Sequence, residues 1–198
     1  MPVILATKYT HTTKIMTNKD KIKIFALVGA LLFLTKKTVT KTKQVMSNIK
    51  SKQDFINLIY PSAKAIGNKI GVPPLFMLAQ IIVETAWGKS ELFKKHYNVG
   101  GVKAVKGQKF VTYPTFEYIK GQKVRIPQNF ASYESLADGL AGYAKIFQNR
   151  YFRQHLNKTT DPKQYASLLQ SGKVKYATDI NYVPKMHKLI DTLKPLVS

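Results

Sequence analysis

The sequence predicts an α+β domain that is mostly α: a group of helices carrying one small β-hairpin lobe. Three observations lead there. Apolar residues recur at spacings of three and four in several stretches between Gln53 and the C-terminus, the signature of helices with one buried face. One stretch, KFVTYPTFEYIKGQKVRIPQNFASY, trades that spacing for aromatic and β-branched residues around a glycine turn, which is strand composition. And the run LAQIIVETAWGKS, Leu78 to Ser90, is apolar on nearly all sides at its start, so it belongs at the centre of whatever the other helices form.

The elements follow in order. Phe55, Ile59, Ala63, Ile66 and Ile70 line one face of a first helix that stops at Gly71. Pro73 and Pro74 suit the first turn of the next helix, which runs through Leu75, Leu78, Ile81, Ile82 and Ala86 to Gly88. A glycine-bearing loop, KKHYNVGGVKAVKGQK, leads to a hairpin pairing Thr115–Ile119 with Lys123–Ile126. Pro114 and Pro127 are expected to bound it and keep it small. Ser132 is the expected cap of SYESLADGLAGYAKIFQNR, Asp161-Pro162 opens DPKQYASLLQSG, and YVPKMHKLIDTLK closes the chain.

With 198 residues the chain has room for one such domain plus an appendage. Residues 1–52 are the appendage, and residues 53–198 the domain. The run Ile24–Leu34 in KIKIFALVGALLFLTKK would reach only about 16 Å as a helix, short of a bilayer core of about 30 Å. Its length and the basic lead from Met16 suit an uncleaved export signal or a weak anchor making membrane contact through 22–34. The plainer alternative is a helix packed on the domain or a partner. Thr38 to Lys52, rich in Thr and Lys, reads as a linker.

Charge narrows the partners. There are 32 Lys and Arg against 10 Asp and Glu, and residues 1–52 hold 11 Lys and one Asp, so both parts are cationic. Nucleic acid, anionic lipid and the acidic polymers of a bacterial envelope all fit such a surface. Lysine dominance favours diffuse attraction over base reading, so no specific nucleic-acid partner is expected. The absence of cysteine excludes disulfides and thiol catalysis, and His11, His96, His155 and His187 lack metal-pair spacing. Neither metal nor cofactor is expected.

Two acids stand out. Glu84, on the apolar central helix, would have its ionised form disfavoured by desolvation, which lets it donate a proton near neutral pH. Glu117, in TFEYI, alternates with Phe116 and Tyr118 on the hairpin, and would face Glu84 if the hairpin folds over the helix end. A dry and a wet carboxyl are what glycoside hydrolysis uses. The plainer readings are a helix-end glutamate bridged to a lysine and a solvated strand residue. Trp87, Tyr97, Tyr113, Tyr118, Tyr176 and Tyr182 add ring faces on which sugars stack, although most tyrosines of any domain are core or rim.

Five ordered motifs, AQIIVETAWGKS, YNVGGVKA, TFEYIKGQ, FASYESLADGLAGY and YATDINYVPKM, resemble the glucosaminidase domain of glycoside hydrolase family 73, from about Gln53 to the end. The resemblance implies a lysozyme-like fold cleaving the glycan strand of peptidoglycan after N-acetylglucosamine. It implies Glu84 as general acid, Glu117 as second carboxylate and Tyr176 beside the reaction centre. Trp87 and Asn98 match cleft positions, and Asp179 and Tyr182 supporting ones; Tyr97 and Tyr118, from the aromatic cluster, are the further expected substrate contacts. The chain departs from the family at Gly100, where an aromatic is common, and at Thr85, where serine is common.

The expected activity is that of an endo-β-N-acetylglucosaminidase, exported to the envelope or secreted, or virion-associated. Its expected partners are the peptidoglycan glycan strand and anionic envelope polymers. The alternatives are a muramidase or lytic transglycosylase, against which TFEY argues, and a non-catalytic wall-binding component of an envelope machine or phage tail.

Overall fold

A computed structural model describes residues 49–119 and 122–197; the expected signal or anchor at 22–34 lies outside them. Helix α1 (Lys52–Ile70) opens at Ser51, whose hydroxyl accepts from the Asp54 N–H at 3.1 Å while the Asp54 carboxylate accepts from the Ser51 N–H at 2.9 Å. This reciprocal cap satisfies donors that a helix start leaves open. Gly71 ends α1 in the left-handed region at φ 75°, as read from the sequence.

Helix α2 (Pro74–Thr85) begins with proline in its first turn and buries Phe76, Met77, Leu78, Ala79, Gln80, Ile81, Ile82 and Thr85. A helix buried over so much of its surface sits at the centre of its domain, and each large apolar side chain removed from water there stabilises by roughly 1.5–3 kcal/mol. Phe76 meets Tyr165 and Phe147 edge-on at 4.9 and 6.0 Å between ring centres. α2 ends three residues before the expected stop at Gly88, for a reason that belongs to the site.

A short helix α3 (Glu91–His96), capped by Ser90, leads to the lobe. There β1 (Phe110–Ile119) pairs antiparallel with β2 (Gln122–Ala131). The ribbon is longer than expected, because Pro114 and Pro127 lie inside it, directly opposite each other. Two opposed residues without N–H groups can share only a non-hydrogen-bonded position, where N–H groups point outward and are not needed by the partner strand. The prolines therefore interrupt no rung.

Helix α4 (Leu136–Ala144) is capped by Ser135, whose hydroxyl accepts from the Asp138 N–H at 3.1 Å. Ser132, the expected cap, instead bonds the His96 ring at 3.2 Å and ties the ribbon base to α3. Ser135 wins because Asp138 stands three residues on and also accepts from the Ser135 hydroxyl. α4 is also shorter than expected, giving way to turns after Ala144. Asp161 caps α5 (Pro162–Leu168) with bonds of 2.7 and 2.9 Å, and α6 (Tyr182–Leu193) packs on α2 and α5.

Candidate active site

α2 ends in a strained turn. Ala86, Trp87 and Gly88 all have positive φ, at 49°, 59° and 77°. Only glycine is at home there, and each of the other two costs about 1–2 kcal/mol. Thr85 holds the turn. Fully buried, its hydroxyl donates to the Ile81 carbonyl at 2.7 Å and accepts from the Gly88 N–H at 3.0 Å. The Trp87 N–H reaches back to the Ile82 carbonyl at 3.1 Å, and a side chain at Gly88 would collide with the Phe55 ring. The helix is thus stopped abruptly just after Glu84.

Glu84 is open to solvent, yet enough protein surrounds its carboxyl for burial to raise its pKa above the usual 4.5. A hydrogen bond from Gln80 Nε2 at 3.1 Å opposes that rise without cancelling it. The same Nε2 donates to the Tyr176 hydroxyl at 3.0 Å, and Gln80 Oε1 accepts from the Tyr182 hydroxyl at 3.0 Å. The Tyr143 hydroxyl lies 3.0 Å from that of Tyr176. Glu84, Gln80, Tyr176, Tyr182 and Tyr143 therefore form one connected network. Burial raises the pKa of all three tyrosines, so they stay neutral near neutral pH.

The ring of Tyr176 is clamped as well, stacked on Phe147 at 5.8 Å and 5°, with Phe152 and Tyr182 tilted against it. Gln170 brackets its chain segment through the Ala177 N–H and carbonyl. Asp179 sits at the entry to α6, where a hydrogen bond from Lys185 at 2.6 Å holds its pKa down and the Asn181 N–H donates to it at 2.9 Å. These contacts make it a support for the Tyr176–Tyr182 loop.

The other expected contact residues are outside this hydrogen-bond network as described. Asn98 is 1% exposed, and its amide donates to the Val102 and Ala131 carbonyls while its oxygen accepts from the Val102 N–H. Its polar atoms staple the loop to the ribbon base. Tyr97 is 2% exposed. Trp87 is half-buried, edge-on to Phe55 at 6.1 Å, with the Lys52 ammonium 5.0 Å from its ring centre, a cation–π cover. Glu117 and Tyr118 stand on β1 opposite Val124 and Lys123; their side chains are outside what is described.

Gly100 has a structural account. A Cβ there would come within 2.3 Å of the Tyr143 ring, so the missing side chain makes room for Tyr143 against the loop. Gln80 and Tyr143 are the network members that the sequence reading missed. The available signal was Gln80 itself, an amide inside the apolar run PLFMLAQIIV, one helical turn before Glu84.

Comparisons with known proteins agree with this geometry. Residues 60–195 match the glucosaminidase family, described as mannosyl-glycoprotein endo-beta-N-acetylglucosaminidase. The exo-glucosaminidase LytG of Bacillus subtilis is 28% identical over 193 residues, covering 90% of this chain and 66% of LytG. The peptidoglycan hydrolase FlgJ of Salmonella typhimurium is 29% identical over 175 residues, covering 84% of this chain and 55% of FlgJ. The chain thus spans about half to two-thirds of the length of these curated relatives. Among solved structures, the catalytic domain of the Listeria monocytogenes autolysin Auto superposes with a TM-score of 0.65 at 31% identity, covering 78% of this chain and 93% of that one. A truncated FlgJ glycoside hydrolase domain gives 0.59 at 30% identity, covering 73% and 99%. These neighbours share the helical core and give the fold its lysozyme-like class. With the family match extending over most of the domain, from α1 to the C-terminal turn, the chain belongs to the glucosaminidase family of glycoside hydrolases, family 73.

Proposed function

We propose that this domain hydrolyses the glycan strand of peptidoglycan after N-acetylglucosamine, as an endo-acting glucosaminidase with Glu84 as general acid. The observation that carries the reading is Glu84 itself: a carboxyl at the solvent-facing end of a buried helix, its pKa raised by its surroundings and its oxygen held by Gln80. A protonated carboxyl there can give its proton to the glycosidic oxygen as the bond breaks. Glu117 is the candidate for activating water or stabilising the positive charge that develops on the ring. The cationic surface would hold the enzyme on an anionic envelope, consistent with action outside the cytoplasm. No helix among the described residues is long and apolar enough to cross a membrane.

A second reading, cleavage after N-acetylmuramic acid, is favoured by one finding: Lactococcus lactis relatives named probable N-acetylmuramidases are 29% identical over 153 residues. Digesting purified cell wall and identifying the new ends by mass spectrometry separates the two. Reducing N-acetylglucosamine ends within long strands support the endo-glucosaminidase. Muramic acid ends overturn it for a muramidase and anhydro ends for a transglycosylase. Release of single terminal sugars would make the enzyme exo-acting, and wall binding without turnover would make it a non-catalytic component.

A further inference from the structure

Counting hydrogens around Gln80 leads beyond the acid. Gln80 is 1% exposed, and its amide has two hydrogens and one carbonyl oxygen to place. One hydrogen goes to Glu84 and the other to Tyr176, while the oxygen takes the hydrogen of Tyr182. Turning the amide over would set its oxygen against an ionised Glu84, so the carboxylate fixes its direction.

Tyr143 is fully buried, and its hydroxyl has only the Tyr176 hydroxyl as a partner among the described residues. A buried donor left without an acceptor is costly, so Tyr143 donates and Tyr176 accepts. The Tyr176 oxygen then has both lone pairs occupied, by Gln80 and by Tyr143. Its own hydrogen goes to neither of them. Tyr176 and Glu84 lie within about 6 Å of each other, since both oxygens sit on one NH2 group.

We propose that Gln80 is the positioning residue of this site: its one amide sets the spacing of the Glu84 carboxyl and the Tyr176 hydroxyl, and leaves the Tyr176 hydrogen to be donated to an oxygen of a glycan lying against Glu84. This rests on the reading of Glu84 as general acid. The titratable groups that sense the charge of Glu84 are the hydroxyls of Tyr143, Tyr176 and Tyr182. All three remain neutral across the working range, so a shift in the alkaline limb of the rate profile reports on Glu84.

The test uses the full chain and soluble, uncrosslinked glycan strands, with kcat and KM measured between about pH 4 and 9. Gln80→Met keeps the length of the side chain and adds no titratable group, but removes the donor to Glu84 and Tyr176 along with the acceptor for Tyr182. It should lower kcat by about 10- to 100-fold with KM changed less than about threefold, and move the alkaline limb to higher pH. Gln80→Leu should move the limb the same way, because it too removes the bond that lowers the pKa of Glu84. Thermal melts identify any variant that fails to fold, and whichever of Gln80→Met and Gln80→Leu folds then carries the test. If the limbs of a folded variant superpose on those of the wild type, whatever its rate, Gln80 is a packing residue and the proposal is overturned. Full turnover in Glu84→Gln would instead overturn the reading of the acid.

Discussion

The end of α2 and the β1–β2 ribbon carry the two acidic candidates, and they are built in opposite ways. α2 is set by packing: eight of its side chains are buried, Thr85 locks its final turn, and Glu84 joins a network of five side chains. The ribbon has two strands, and among its described side chains only Ala131, at its base, is buried. It is tied down at that end by Asn98, by Ala131 to Val102 at 2.8 Å, and by Ser132 to Lys109 at 2.9 Å. A group on α2 is therefore held by packing on several sides, whereas a group on the ribbon has fewer buried contacts to hold it.

The contrast is tested most directly at the acids. Glu84→Gln should cut wall hydrolysis by about 10³-fold with wall binding retained, and Glu117→Gln should cut it less; reducing-end release measures both. Equal losses would mean that the ribbon holds its acid as firmly as the helix does.

Next in size are the two locks. Thr85→Val leaves the Gly88 N–H without its acceptor, and Asn98→Ala takes away the partners of the Ala131 carbonyl and the Val102 N–H, while the Val102 carbonyl keeps the Ala131 N–H. Each should cost about 1–3 kcal/mol in urea unfolding. Thr85→Val should also disturb Glu84, while Asn98→Ala should show its effect as faster hydrogen exchange at the ribbon base.

A smaller effect concerns pH. Because the folded-state pKa of Glu84 is raised above 4.5, the folded protein holds that proton more tightly than the unfolded chain. The associated stability is fully present below the unfolded value and is lost as pH rises through the folded value. Glu84→Gln should therefore raise Tm relative to the wild type at neutral pH, and the difference should shrink in acid. The smallest change is expected on the ribbon surface, where Thr112 donates to Asn129 in an exposed cross-strand pair. Thr112→Ala should alter stability by less than about 0.5 kcal/mol.

Legibility in the sequence follows the same division. The helices are legible because each writes its own signals locally: spacing, Gly71, Pro74, Asp161-Pro162. Glu84 is legible because a charged residue in an apolar run has to be explained. The network is not, because Gln80 meets Tyr176 and Tyr182 across 96 and 102 residues, and no local pattern encodes that meeting. The stapling by Asn98 is not legible, because a polar residue in a glycine loop suits ligand contact and backbone stapling equally well. The ribbon exceeds its expected length because proline, so often a boundary of strands, is compatible with any rung that needs no N–H.

That last feature bears on solubility. Beyond its base, where residues 102–104 pair with the outer edge of β2, a two-stranded ribbon leaves its edges open, each an invitation to another strand. Pro114 and Pro127, facing each other, delete one donor from each edge at the same level, so neither edge offers an unbroken row for a neighbouring molecule to zip onto. The lobe can stay thin without recruiting further copies of itself.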